Sequence, residues 1–396
     1  MDFTNQFILL SGLLLALSVL AGLLSRRTGA PLILSFLAVG VLFGQDGPGG
    51  IVFNDMELSF FACSVALAII LFDGGIQTPI ASFKRAARPA GLLATAGVII
   101  TAGLVALCIH FGLDLPFLNA LLIGSVVAST DAAAVFLLLR QHGLRLKPHL
   151  ASVLEVESGI NDPMAVLLTL TLVELIIHGF SEQSGWLIAV EFTLQLGLGI
   201  GLGMIGGKLL TYFFSWVETD SGLYPIFALA SGMLIFGASN VLGGSGFLAA
   251  YIAGLMLGNH EYKAKRVVQQ FMDGMAWLSQ LAMLLILGLL VTPSELIHDV
   301  PRGLVIALAL IFIGRPVAVF CCLLFEKMRL REKLFISWVG LRGGIPIFLA
   351  IIPVLAGMDV SYFNLAFIVV VCSLLLQGWT IRFMARRLGV MEPPTD

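Results

Sequence analysis

Charge is what this sequence has least of. Only 12% of its 396 residues are Asp, Glu, Lys or Arg, whereas 59% are hydrophobic, and the mean hydropathy is +1.02. Soluble domains carry about 25% charged residues, so the shortage excludes a water-soluble globular chain and points to a bilayer. A net charge of -2 and the lack of a basic arm give no reason to expect a nucleic-acid partner. Cysteine is scarce too. Cys63, Cys108, Cys321, Cys322 and Cys372 lie in apolar runs without metal-ligand spacing, which argues for packing residues and against a disulfide framework or a zinc site. Neither a nucleophile triad nor a Walker motif occurs, so an enzyme is not expected. Gly201-Leu202-Gly203-Met204-Ile205-Gly206 spells G-x-G-x-x-G, but no strand precedes it and no acid follows at the dinucleotide distance. Gly197, Gly199, Gly201, Gly203 and Gly207 read instead as small residues for close helix packing. The histidines sit near segment ends or in loops. For His142, His149 and His260 an ordinary surface role outweighs pH sensing.

Apolar runs are what the chain has in abundance. A span needs about 20 apolar residues, fewer where a helix is short or broken. On that rule the sequence predicts an all-α membrane protein of about 13 transmembrane helices, near residues 5–24, 31–44, 58–78, 90–111, 117–139, 150–177, 186–216, 223–241, 246–258, 270–291, 302–325, 334–355 and 362–384. Arg26 and Arg27 close the first run and no cleavage site follows, marking an uncleaved span. With the N-terminus outside, the basic loops near Lys84, Arg140, Lys263, Lys327 and Arg382 all fall on the cytoplasmic side, together with the C-terminus. Asp46, Asp55, Asp114, Glu182, Glu295 and Asp359 fall on the other side. The acidic pair Glu218 and Asp220 is the exception. The spans divide into two inverted six-helix repeats, 1–178 and 223–384, joined by a linking helix at 186–216. Matching irregularities occur in their fifth and twelfth spans: Ser129-Thr130-Asp131 in one, Gly340-Leu341-Arg342-Gly343-Gly344-Ile345-Pro346 in the other. Interruptions at matched places predict two unwound, crossing helices whose freed carbonyls can ligate a cation.

Ionisable residues stranded in these runs carry the functional reading, since a charge in lipid is costly and kept for a purpose. The sharpest motif is Glu157-Ser158-Gly159-Ile160-Asn161-Asp162-Pro163. Ser158 and Asp162 are a helical turn apart and share a face, and Pro163 weakens the helix beside them. A carboxylate so placed can hold a proton or a hard cation, with oxygens of Ser158, Asn161, Thr130 and Asp131 around it. Asp131 also suits the N-cap of a half-helix. Glu157 and Arg342 read as a buried structural ion pair. Arg315, in Gly314-Arg315-Pro316, reads as a donor to a broken helix end, and Asp73 lies near the inner end of the third span.

At these residues the chain resembles the cation:proton antiporter superfamily, in its NhaP and sodium/hydrogen-exchanger branch. Members carry a Thr-Asp pair in the unwound fifth helix, matched by Thr130-Asp131. They carry Glu-Ser-x-x-Asn-Asp, matched from Glu157 to Asp162, and Gly-Leu-Arg-Gly, matched from Gly340 to Gly343. The resemblance implies that Asp162 is the exchange carboxylate and that Thr130, Asp131 and Ser158 complete the site. It also implies that Glu157 pairs with Arg342 and Asn161, and that Asp73 lies on the cytoplasmic approach. Asn161 before Asp162 is associated with electroneutral exchange. The alanines after Asp131 look like those of potassium/proton antiporters of the cell volume regulation protein A type.

Potassium/proton exchange is therefore expected, with sodium (or lithium) as the alternative cation and an uncoupled cation channel as the more distant one. No cofactor and no metal beyond the transported alkali ion are expected. The resemblance further implies a homodimer in the cytoplasmic (inner) membrane, acting in pH homeostasis and cell volume regulation. Relatives of that type continue into a cytoplasmic regulatory domain; residues 1–396 are expected to form the transmembrane unit without one.

Overall fold

Hydrocarbon offers a peptide group no partner but another peptide group, so the apolar runs become helices. The computed structural model describes residues 2–28, 31–141, 143–179, 184–216 and 220–392. His142, Glu182 and Glu218 lie outside them. Among the described residues there is no strand, only an isolated bridge between Leu146 and Met391. Nine of the described helices are long and apolar enough to cross a membrane, and five shorter apolar ones accompany them. Every span expected from the sequence falls on one of these helices or on a pair of half-helices.

Two spans are interrupted where the sequence places glycine, hydroxyl and charged residues among apolar neighbours. Phe117–Val126 and Ala132–Gln141 are separated by extended backbone around Ser129 and Thr130. Leu330–Trp338 and Ile345–Leu349 are separated by the stretch from Gly340 to Gly344. The span that holds Gly314 is not interrupted. The helix widens into a π turn over Leu310–Gly314 and continues through Arg315 and Pro316, the wider turn accommodating a residue that has no N–H to donate. A second π turn, Leu93–Gly97, occupies the fourth span, and the two widened helices pack on each other.

Glycine sets how closely the helices around this centre approach. Met56–Gln77 and Gly246–Gly258 touch backbone to backbone. A Cβ at Gly254 would run into the carbonyl of Phe72, and one at Gly258 into that of Ile76. Such small-residue seams are how helices pack tightly without a hydrophobic drive between them. Gly199, Gly203 and Gly207, at a spacing of four, face Ser245, Ala249 and Ala253 in the same manner, whereas Gly197 and Gly201 face open space. Gly254→Val is expected to destabilise the fold by about 1–3 kcal/mol through overpacking. Thermal unfolding in detergent measures it, and an unchanged midpoint would mean that the seam is looser than described.

The last helix, Ser361–Leu388, ends on Gly389 at φ 64°, a left-handed conformation that glycine takes without strain. The chain then turns back against the loop before the Pro148–His178 helix. Lys147 N donates to the Val390 carbonyl at 3.1 Å, and Glu392 N donates to that of Arg145 at 2.9 Å.

Candidate functional site

The two interrupted spans meet through their main chains. Asp131 N donates to the Leu341 carbonyl at 2.8 Å, so an unwound segment that cannot satisfy itself is satisfied by the other. Asp131 Oδ1 accepts from Ala134 N at 3.0 Å and caps the half-helix that follows. Opposite it, Gly343 leaves no room for a Cβ, which would strike the Asp131 carboxylate.

The Pro148–His178 helix lies against this crossing and stitches it together. Ser158 Oγ donates to the Thr130 carbonyl at 2.9 Å and accepts from Ala132 N at 3.2 Å, bridging the break. Asn161 Nδ2 donates to Thr130 Oγ1 at 2.6 Å. Asp162, 4% exposed, accepts a 2.6 Å hydrogen bond from Ser129 Oγ. Arg342 is fully buried; its Nη1 donates to the Ser129 carbonyl at 2.8 Å, and its main-chain N–H to Ser373 Oγ at 3.1 Å. A cavity of about 200 Å³ opens beside these groups, walled in part by Asp131, Ser158 and Asp162. Thr130 and Asn161 do not line it; they hold each other. Asp73, hydrogen-bonded by Gln77 at 3.4 Å, lines an adjoining cavity of about 270 Å³ with Asp273 and Arg140. The two cavities share Ile70, Gly74, Ala133, Phe136 and Gln280, and Asp73 lines the adjoining one and not the one at the crossing.

One expected contact is corrected. Glu157 pairs with Arg315 and not with Arg342 or Asn161. Arg315 Nη1 meets Glu157 Oε1 at 2.5 Å, and Nη2 meets Oε2 at 3.1 Å, a two-pronged match of guanidinium to carboxylate with both residues buried. The physical reason is the π turn, which keeps Arg315 inside a continuous helix, and Gly340, whose missing side chain lets the Arg315 stem pass. Arg342 is left with Nε and Nη2 unbonded among the described residues. Of the histidines, His149 meets Glu332 at 3.1 Å and His260 meets Ser215 at 2.6 Å, both away from the crossing.

Chemically the crossing offers two carboxylates and a serine hydroxyl on the wall of one small cavity. That is an oxygen set for a hard monovalent cation, with Asp162 also able to take a proton. The model of the transmembrane sodium/hydrogen exchanger family matches residues 13–387. The chain belongs to that family. The chain is 47% identical over 393 residues to "K(+)/H(+) antiporter NhaP2" of Shewanella baltica, covering 98% of this chain and 68% of that one. It is 42% identical to "K(+)/H(+) antiporter NhaP" of Alkalimonas amylolytica, over 99% and 68% of the two chains. "Na(+)/H(+) antiporter 1" of Methanocaldococcus jannaschii is 27% identical over 86% and 81%. In structure, the exchanger superposes on the sodium proton antiporter MjNhaP1 of that organism, solved at pH 8, with a TM-score of 0.85. The sequence identity is 24%, and 98% of this chain and 100% of that one are covered. The fold is thus the all-helical antiporter fold, and the protein is a multi-pass membrane transporter of the NhaP branch.

Sequence reasoning passed over two residues at and behind this crossing. Ser129 stands next to Thr130-Asp131, and its signal was a third hydroxyl-bearing or acidic residue in one unwound stretch. Arg315 was read as a helix-end donor. The signal for its pairing was Gly340, which only a side chain from another helix could exploit.

Proposed function

We propose that this protein exchanges potassium ions for protons by alternating access, with Asp162 as the shared carboxylate. The observation that carries this reading is Asp162 itself: a buried acid, hydrogen-bonded by Ser129, on the wall of the cavity that Asp131 and Ser158 also line. Asp162 releases its proton and then binds the cation, with Asp131 and Ser158 contributing oxygens. Thr130 and Asn161 hold the unwound segment in shape, and the Glu157–Arg315 pair braces the helix behind it. An ionised, empty Asp162 crosses the bilayer poorly because a bare charge in lipid is costly, so exchange is obligatory.

Potassium is supported by the names of the relatives at 47% and 42% identity. Sodium is the second reading, from the relative at 27%. We further propose about 13 crossings in two inverted repeats, 1–178 and 223–384, around the linking helix at 186–216. The N-terminus is outside and the C-terminus cytoplasmic in the inner membrane, two copies form the working unit, and no cofactor is needed. Transport then slides the fourth to sixth and eleventh to thirteenth spans, which hold the crossing, past the remaining helices, among which the Gly254 and Gly203 seams lie.

Proton and cation compete for a single group, so the half-saturating potassium concentration is expected to rise as pH falls, approaching about tenfold per unit below the group's titration range. Dequenching of a pH dye in proteoliposomes, run with potassium, sodium, rubidium and lithium at several pH values, measures this. An affinity flat across pH would end the shared-site reading. A response to sodium alone would exchange the first reading for the second, and bulk conductance without proton movement would favour a channel.

A further inference from the structure

Glu155 belongs to the wall of the transport cavity, although neither the motif nor the crossing includes it. On the Pro148–His178 helix, Glu155, Ser158 and Asp162 are spaced by three and four residues and so share a face. All three line the cavity of about 200 Å³. Glu155 alone of the three also lines a second cavity, of about 530 Å³, with Arg140, Arg145 and Glu392. It stands where the two spaces join. At 1.5 Å of rise per residue it lies roughly 10 Å along the helix from Asp162, on the side of those arginines. Glu157, only two residues away, points elsewhere and is consumed by Arg315. Glu155 is half-buried, and no ion pair within 4.0 Å engages it among the described residues.

Tyr251 faces the same stretch from another helix, Gly246–Gly258. It is 2% exposed, it lines the cavity, and its hydroxyl, with Thr78 nearby, makes no well-formed hydrogen bond among the described residues. Its position is fixed by Gly159, where a Cβ would come within 2.9 Å of the hydroxyl oxygen. Gly159 is one turn beyond Glu155 and adjacent to Ser158, so the phenol oxygen sits along the line from Glu155 to Asp162. A buried hydroxyl left unbonded is unfavourable unless something comes to satisfy it. Oxygen from a carboxylate and from a phenol is what an alkali cation accepts in place of water.

We propose that Glu155 and Tyr251 form an outer station on the way to Asp162, where an arriving alkali cation exchanges part of its water shell for these two oxygens. The station rests on the antiport reading above. It is assembled from two helices that meet where Tyr251 packs on Gly159, so it exists while they are aligned as here. It raises the chance that a cation entering from the arginine side reaches Asp162, and it leaves the exchange step itself unchanged.

The test uses the whole protein in proteoliposomes with potassium chloride as the probe, reading the half-saturating potassium concentration and the maximal rate separately. Glu155→Gln is expected to raise the half-saturating concentration about tenfold, from losing one charged partner, with the maximal rate within about twofold of wild type. Tyr251→Phe is expected to raise it about threefold, and the double variant to be no worse than Glu155→Gln, because the two residues serve one ion. Glu155→Asp is expected to recover most of the affinity. An unshifted half-saturation in Glu155→Gln overturns the station, as does a fall in maximal rate alone, which marks a structural role. Should Glu155→Gln fail to fold, Tyr251→Phe and Glu155→Asp decide by the same reading. Wild-type liposomes that move no protons when potassium or sodium is added remove the antiport reading itself, whereas a normal wild type with unshifted variants removes only the station.

Discussion

Asp162→Asn is expected to reduce potassium-driven proton movement to the level of protein-free liposomes. Asparagine keeps the volume of the side chain and can still accept the Ser129 hydroxyl, now 2.6 Å from Asp162 Oδ1, so the crossing should survive. What disappears is the ability to be either charged or protonated. Asp131 does not replace it, because one of its oxygens caps the half-helix at Ala134 N and its main chain is tied to Leu341. The variant should therefore melt near wild type while transporting nothing. Residual exchange with unaltered potassium dependence would move the shared group elsewhere and take the proposed mechanism with it.

Glu157→Ala is expected to be the most destabilising single change near the site, by about 3–5 kcal/mol, because it leaves the Arg315 guanidinium buried without its partner. Both side chains are nearly inaccessible, at 1% and 4%. Replacing the two together by apolar residues, Glu157→Leu with Arg315→Met, should recover much of the loss, since the pair's own desolvation is then avoided as well. A double-mutant cycle on thermal unfolding distinguishes the two candidate partners. Coupling should be large with Arg315 and small with Arg342, and the reverse would reinstate the pairing that the motif suggested.

The helices were legible in the sequence because membrane spans are written in a single variable, apolar run length, and loop charges check the count. The two interruptions were legible because glycine, proline and acids have few reasons to sit together in lipid. A spacing of four put Ser158 and Asp162 on one helix face, whereas the family resemblance, not spacing, joined them to Thr130-Asp131. The partner of Glu157 was not legible. Two arginines were available, and the choice between them turned on a π turn at Leu310–Gly314, which no sequence pattern announced. Glu155 was missed because it lies outside the motif, although its spacing to Ser158 and Asp162 was on view. Tyr251 gave no signal at all: its role depends on Gly159 being bare, a fact of packing between segments far apart in the chain.

The antiparallel bridge between Leu146 and Met391, flanked by the bonds of Lys147 and Glu392, makes a lever of the final helix. It fastens the exit of Ser361–Leu388 to the first residue before Pro148–His178, with no slack chain between them. Any tug, twist or grip applied just past residue 389 is therefore delivered at the root of the helix that carries Asp162. A grip there acts on the crossing from a distance, without touching an ion.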